Sequence, residues 1–186
     1  MIDSIIITDL STAVSLSFKE RKQNVWISVV DEEDRNKIRT IKKNFAIGNN
    51  AKHFVQYFYD WSDEDTDSYI QKNIEEQGPQ EQHVNNIISF LQPIVDSDKI
   101  YHLGVNCFAG VSRSTAIGII AWVMQGKTPI EALDEITKVR PQAWPNLRIL
   151  RFASKRLNQD LVTPVKQWKS HETNHIFYEP KGGWVQ

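Results

Sequence analysis

The sequence contains a single cysteine, Cys107, among its 186 residues. One cysteine excludes an internal disulfide framework and is typical of a protein in a reducing compartment, so we expect a cytoplasmic location. No apolar run approaches the roughly 18 residues that a membrane-spanning helix needs, and the N-terminus lacks the charged and apolar regions of a signal peptide. The sequence therefore predicts neither a secreted protein nor one that uses a membrane.

Strong charge of either sign is also missing, because the formal net charge is -1. A protein that binds nucleic acid through bulk electrostatics carries a clear basic excess, so we expect no nucleic-acid partner. No internal repeat or low-complexity stretch is present. The length suits one domain with a sizeable core. We predict that domain over residues 1–160, followed by a tail, 161–186, that packs on it or is partly disordered.

Runs rich in β-branched residues predict strands at Ser4–Thr8 and Val25–Val30, with a third from about His53 to Tyr59. Asp9–Phe18 between the first two can form a short helix, and the charged stretch Asp31–Lys43 is expected to be a solvated helix or loop. Strands that alternate with helical segments indicate an α/β fold, with a central, mostly parallel sheet flanked by helices.

Helices are predicted in the second half of the chain by hydrophobic spacing and by start signals. Apolar residues recur at helical spacing from Val84 to Val95. A second helix begins after Thr128, with Pro129 in its first turn and Glu131 completing a capping box. A last amphipathic helix follows Asn146.

The stretch Tyr101–Gln125 joins a short apolar strand, an uncharged loop that begins with Cys107, and a helix that is apolar on nearly every face. A strand, loop and helix in this order direct backbone N–H groups and the positive end of the helix dipole into one concavity. Such a concavity binds a phosphate group. The predicted phosphate-binding residues are Phe108, Ala109, Gly110, Val111, Ser112 and Arg113.

The residue types in this loop also predict chemistry. A thiol among N–H donors at a helix N-terminus ionises readily, which makes Cys107 a candidate nucleophile. The planar guanidinium of Arg113 matches two phosphate oxygens. Gly110 lets the backbone approach an anion closely, and Ser114 can donate its hydroxyl to the sulfur and improve it as a leaving group.

The segment C-F-A-G-V-S-R-S resembles the Cys-x5-Arg-Ser/Thr loop of the cysteine-dependent protein tyrosine phosphatases, in particular their small dual-specificity-like bacterial and phage branch. The resemblance implies a tyrosine-phosphatase-like fold and hydrolysis of phosphomonoesters through a phosphocysteine intermediate, with no cofactor and no metal. The family usually has histidine before the cysteine. This chain has Asn106, which can hydrogen-bond the neighbouring backbone but cannot carry a positive charge.

Phosphoester hydrolysis also needs a carboxylic acid to protonate the departing oxygen, and D-W-S-D-E-D-T-D at 60–67 supplies candidates. In the family this aspartate follows a strand upstream of the cysteine. Asp60 matches that place best, although it lies farther upstream than is usual, and Asp63 competes with it. A calcium loop counted from Asp63 fails, because Ser68 and Ile74 occupy its glycine and glutamate positions.

The small bacterial and phage phosphatases also resemble R-P-Q-A-W-P-N at 140–146. This likeness implies that Asn146 hydrogen-bonds close to the Cys107 loop. By itself, Pro-Asn is only a helix start. A second motif, H-E-T-N-H at 171–175, has zinc-peptidase spacing, but it lies on a polar tail with poor helix formers, and we assign it no metal.

The expected substrate is a phosphoprotein, with phosphotyrosine preferred and phosphoserine or phosphothreonine left open. Phosphoinositides and RNA 5′-triphosphates carry more charge and would favour basic residues within the loop, which has none between Cys107 and Arg113. A phosphate-reading module without catalysis remains the alternative that Asn106 suggests. The sequence leaves the oligomeric state open.

Overall fold

In the computed structural model, the chain is described over residues 1–16, 24–46 and 52–171 and at 178–179 and 183–184. The predicted α/β fold is confirmed. The strands are β1 (Ile2–Thr8), β2 (Val25–Val30), β3 (Lys52–Tyr57), β4 (Tyr101–Asn106), β5 (Tyr178–Glu179) and β6 (Gly183–Trp184). The helices are α1 (Leu10–Ser15), α2 (Arg35–Ala46), α3 (Ser68–Gln77), α4 (Glu81–Val95), α5 (Arg113–Met124), α6 (Pro129–Val139), α7 (Leu147–Leu157) and α8 (Val162–His171).

Four strands form a parallel sheet in the order β1-β4-β2-β3. Every residue of β2 is buried, as expected for a parallel strand covered on both faces. All four carboxyl ends lie at the same edge of the sheet. The residues that directly follow the four strands therefore lie side by side: Asp9, Asp31, Phe58 and Cys107. This is the edge at which ligands bind in open α/β sheets.

Two apolar layers cover the sheet. The larger contains β-strand residues together with α4, α5, α6 and α7, whereas the smaller packs α1 and α2 against Trp26 and Val30. Helix α5 lies in the larger layer and is buried almost all round. It runs directly from the Cys107 loop into this core, so the loop is anchored to the core.

Helix α6 has the predicted capping box, with the side chains of Thr128 and Glu131 each accepting from the other's backbone. The charged stretch after β2 is helical and largely exposed, as expected, but one face of it is buried. A short 3-10 helix, Glu32–Asp34, leads into α2, which buries Ile38 and Ile41. The numerous charges of α2 conceal this narrow apolar face in the sequence.

Helices α3 and α8 were not predicted, and β3 ends at Tyr57 instead of Tyr59. Asp67 caps the start of α3 by accepting from Tyr69 and Ile70. Helix α8 belongs to the expected tail and contacts α6 and α7, while the division between domain and tail stays a prediction. Among the described residues, no helix is long and apolar enough to cross a membrane.

Candidate active site

The Cys loop, residues Cys107–Ser112, joins the end of β4 to the start of α5. The Cys107 thiol is fully buried. Its sulfur accepts a hydrogen bond from the Gly110 N–H at 3.2 Å and lies 3.2 Å from the Ser114 hydroxyl. The sulfur is the acceptor in the contact with Gly110, whereas either atom can donate in the contact with Ser114.

Gly110 is required by the shape of this loop. Its φ is +71°, and a Cβ there would lie 2.6 to 2.7 Å from backbone atoms of Thr8 and Asp9. A side chain would therefore meet both backbone strain and a steric clash. This glycine lets the loop lie tightly against the end of β1.

All five carbonyl groups from Phe108 to Ser112 are hydrogen-bonded by groups outside the loop. The Leu10 N–H donates to Phe108 O at 3.0 Å. Arg140 donates to the next two, from Nη2 to Ala109 O at 2.7 Å and from Nε to Gly110 O at 2.9 Å.

The remaining two carbonyls accept from the same stretch of chain as Arg140. The Trp144 N–H donates to Val111 O at 2.9 Å and the Asn146 N–H to Ser112 O at 3.3 Å. With the acceptors occupied outside, the loop amides are left to face an anion. The function of Arg140 was missed in the sequence, where it was only part of a family motif.

Arg113 is buried at the first position of α5. Its Nη1 donates to Asp31 Oδ1 at 2.7 Å and to Phe58 O at 2.5 Å, and its Nε lies 3.8 Å from Asp60 Oδ2. Burial opposes the charged form, but the carboxylates of Asp60 and Asp31 outweigh it and raise the pKa of Arg113 above its usual value. The guanidinium is therefore a permanent positive charge.

Asp31 was not predicted as a site residue, because it lay at the edge of a highly charged stretch. Burial raises the pKa of Asp31, although its ion pair with Arg113 opposes the change. Its position directly after β2 brings it to the Cys loop. Only the sheet topology shows that this carboxylate and Arg113 meet.

The acidic loop, residues 58–67, brings Asp60 and not Asp63 to the Cys loop. Asp60 Oδ1 accepts from the Ser112 hydroxyl at 2.7 Å and from Asn146 Nδ2 at 3.0 Å. Asp63 instead pairs with two arginines of α7, Arg148 and Arg151. Of the two candidate acids, only Asp60 contacts the Cys loop.

The two predicted asparagines lie on opposite sides of the Cys loop. Asn146 caps α7 through its Oδ1 and donates from Nδ2 to Asp60 and to Trp61 O. Asn106 is fully buried, and its Oδ1 accepts from Trp26 Nε1 and Ser28 Oγ, both at 2.7 Å. Its Nδ2 has no hydrogen-bond partner among the described residues.

No family model matches the sequence, and no curated protein matches it. Solved structures do match. Tk-PTP in its active form has a TM-score of 0.53 and 12% identity, covering 82% of this chain and 90% of that chain. Human DUSP28 has a TM-score of 0.53 and 15% identity, covering 82% and 87%. PTPMT1 has a TM-score of 0.50 and 13% identity, covering 91% and 96%.

The chain has the protein tyrosine phosphatase fold. At these identities the likeness concerns the fold, and the chemistry follows from the side chains. The Cys107 loop lies between a central strand and a buried helix of this phosphatase fold, at the carboxyl edge of the sheet.

A groove of about 620 Å³ opens beside the Cys loop of the phosphatase fold. Phe108 and Ala109 form one wall, α1 forms another, and Lys37 and Arg140 contribute positive charge. Phe108 is 54% exposed, with the Lys37 ammonium 5.7 Å from its ring centre. The groove thus contains two basic side chains and the carboxylate of Asp9, all from outside the loop.

Within the described parts of the chain, no three His, Cys, Asp or Glu side chains lie together in a way that could hold a metal ion. His171 ends α8, and the rest of the H-E-T-N-H motif lies outside the described residues.

Proposed function

We propose that the protein is a cysteine-dependent phosphatase that hydrolyses phosphomonoesters on proteins, with phosphotyrosine preferred. The observation that carries this proposal is the environment of Cys107. Its sulfur accepts from the Gly110 N–H and lies 3.2 Å from the Ser114 hydroxyl, and the loop carbonyls from Phe108 to Ser112 accept from donors outside the loop. Such a loop stabilises both a thiolate and a bound phosphate.

In the first step, the Cys107 thiolate attacks phosphorus and forms an S–P bond while the P–O bond to the substrate breaks. Asp60 gives its proton to the departing oxygen, so that a neutral alcohol or phenol leaves. Arg113 and the loop amides neutralise the charge on the remaining phosphate oxygens throughout. This step requires an acid within reach of the loop. The hydrogen bond from the Ser112 hydroxyl to Asp60 Oδ1 supports such a position.

In the second step, a water molecule attacks the phosphocysteine and gives a proton to the Asp60 carboxylate. The S–P bond breaks, and the sulfur leaves as a thiolate that accepts a hydrogen bond from Ser114. Inorganic phosphate is released and Asp60 is protonated again. The 3.2 Å separation of the Cys107 sulfur and the Ser114 oxygen supports this role.

The preference for an aryl phosphate on a protein is supported by the exposed Phe108 ring next to the nucleophile. A lipid phosphate is the competing substrate, because Lys37 and Arg140 place positive charge in the neighbouring groove. PTPMT1, one of the structural neighbours, forms a complex with PI(5)P. Comparing the turnover of a phosphopeptide with that of a phosphoinositide distinguishes the two substrate classes.

The test is turnover of peptides with phosphotyrosine, phosphoserine or phosphothreonine and of phosphoinositide vesicles, all in EDTA. We expect turnover of the phosphotyrosine peptide that does not depend on a divalent metal. Cys107→Ser is nearly isosteric and should abolish it while preserving the thermal unfolding transition. Residual activity in that variant would contradict the cysteine mechanism, and faster turnover of the phosphoinositide would reassign the substrate.

A binding module is the second candidate, and it is favoured by Asn106 in place of histidine and by the two carboxylates that already face Arg113. It predicts that the wild-type protein binds a phosphotyrosine peptide without consuming it. Titration of the peptide, followed by recovery and mass measurement, distinguishes binding from hydrolysis.

A further inference from the structure

Helix α8, in the C-terminal stretch outside the predicted domain, carries a buried positive charge. The Lys169 side chain is only 5% exposed, and its Nζ donates to Glu64 Oε2 at 2.5 Å. The ammonium also lies 4.5 Å from the centre of the Trp144 ring. Lysine is seldom buried without a partner, so this position needs a physical reason.

The two partners of Lys169 belong to the two sides of the candidate active site. Glu64 lies in the acidic loop, four residues after Asp60. Trp144 donates its backbone N–H to Val111 O of the Cys loop. One ammonium group therefore joins the loop that carries the candidate acid to the segment that holds the candidate nucleophile.

Helix α8 is firmly seated at this point. Leu161 and Val165 are fully buried in the main apolar layer, and the Trp168 ring packs 6.1 Å from that of Trp144. The helix thus presents Lys169 from a fixed position. A charge delivered from a rigid element constrains its partner more than a charge on a mobile side chain.

Stability alone does not account for the pair. Burial lowers the pKa of Lys169, and the hydrogen bond and charge of Glu64 only oppose this effect. A buried ion pair often contributes no more stability than apolar side chains of the same volume, whereas it does specify one geometry. Because Glu64 belongs to the acidic loop, the geometry that the pair specifies is that of this loop.

We propose that Lys169 is a positioning residue that holds the acidic loop against the Cys loop, so that Asp60 stays at the departing oxygen. The tail helix is then part of the catalytic unit. This inference rests on the proposed function for its kinetic consequences, but its structural consequence can be measured without any substrate.

The test compares Lys169→Met with Lys166→Met, a matched change on the exposed side of the same helix. A misplacement of about 1 Å can cost roughly 10²-fold in rate. We expect kcat for a phosphotyrosine peptide to fall about 10- to 100-fold in Lys169→Met, with KM nearly constant. An activated aryl phosphate needs little protonation and should lose less than about threefold. Lys169→Arg should restore most of the rate, and Lys166→Met should behave as wild type.

A second measurement is hydrogen exchange of the amides in residues 60–67, on the free proteins. Exchange should be faster in Lys169→Met. It should also be faster in Glu64→Gln, which removes the charge of the more exposed member of the pair. It should be unchanged in Lys166→Met. Unchanged exchange in both folded variants would overturn the inference. If exchange accelerates but the wild-type protein hydrolyses no phosphoester, the positioning of the loop holds and the proposed function fails.

Discussion

The Cys loop and the acidic loop meet at one site but are held in place by different means. The Cys loop spans six consecutive residues, and backbone and arginine donors occupy its outward carbonyls. The acidic loop is held by side chains from distant elements, among them Asn146, Arg148 and Lys169. Distant elements thus hold both loops, the Cys loop through its backbone carbonyls and the acidic loop mainly through its carboxylates.

This difference teaches where each loop is vulnerable. Changes near the Cys loop should disturb the phosphate pocket itself and affect every substrate alike. Changes around the acidic loop should act through Asp60 and should be most severe where the leaving group needs a proton. Substrates with good and poor leaving groups therefore separate the two loops, and the following predictions use that separation.

The largest effect is expected from Asp60→Asn, which removes the candidate acid. General acid catalysis contributes typically about 10²–10⁴-fold, so turnover of a phosphotyrosine peptide should fall by that factor. An activated aryl phosphate should lose much less, because its leaving group departs without protonation. The measurement is kcat for both substrates across pH.

Asp63→Asn is the matched control within the same loop. Asp63 is 34% exposed and pairs with the buried Arg148 and the exposed Arg151, and an asparagine in its place can still accept from both arginines through its side-chain oxygen. It should cost little activity. A large loss in Asp63→Asn that depends on the leaving group, with none in Asp60→Asn, would reverse the assignment and break the comparison.

An intermediate effect is expected from Arg140→Met, which frees the carbonyls of Ala109 and Gly110. Hydrogen bonds to charged groups contribute about 1.5–3 kcal/mol each, and a displaced loop should lower kcat about 10- to 100-fold. Both kinds of substrate should suffer equally, and vanadate should bind more weakly.

Arg140→Lys should recover only part of the loss, because one ammonium cannot reproduce the forked contact with two carbonyls. Arg156→Met, on an exposed position of α7, serves as the control. If the loss of activity in Arg140→Met instead depended on the leaving group, the Cys loop and the acidic loop would not act independently in catalysis.

The smallest effect concerns pH and Asp31, which links the two loops through Arg113. Burial raises the pKa of Asp31 in the folded protein above 3.8, the usual value, which the unfolded chain keeps. Between the unfolded and the folded pKa, the folded protein therefore binds more protons than the unfolded chain. The free energy of unfolding contributed by this group therefore falls as pH rises through that window. Asp31→Asn should remove this fall.

Urea unfolding from about pH 3 to 6, which spans the usual carboxylate range, measures the difference between wild type and variant. The exposed Asp98→Asn provides the reference. A pH dependence of stability that is the same in all three proteins would show that Asp31 titrates as a solvated group.

The parts of the site that could be predicted are those with local causes. Strand β4, the Cys loop and α5 are contiguous, so the spacing of Cys107 and Arg113, together with Gly110, Ser114 and the flanking strand and helix, predicts a phosphate-binding loop. The capping box of α6 was predicted for the same reason, because Thr128 and Glu131 lie three residues apart. The catalytic roles of these loop residues stay predictions until they are measured.

By itself, the sequence determined the α/β class, the parallel sheet and the loop that begins with Cys107, since alternation, β-branched runs and caps act over a few residues. Only the tertiary structure decided which acid reaches the loop, that Asp31 pairs with Arg113, and that Arg140 and Lys169 support the two loops. These partners lie far apart in sequence. They come into contact because parallel strands bring their carboxyl ends to one edge of the sheet and the helices pack around it. No local sequence pattern predicts these contacts.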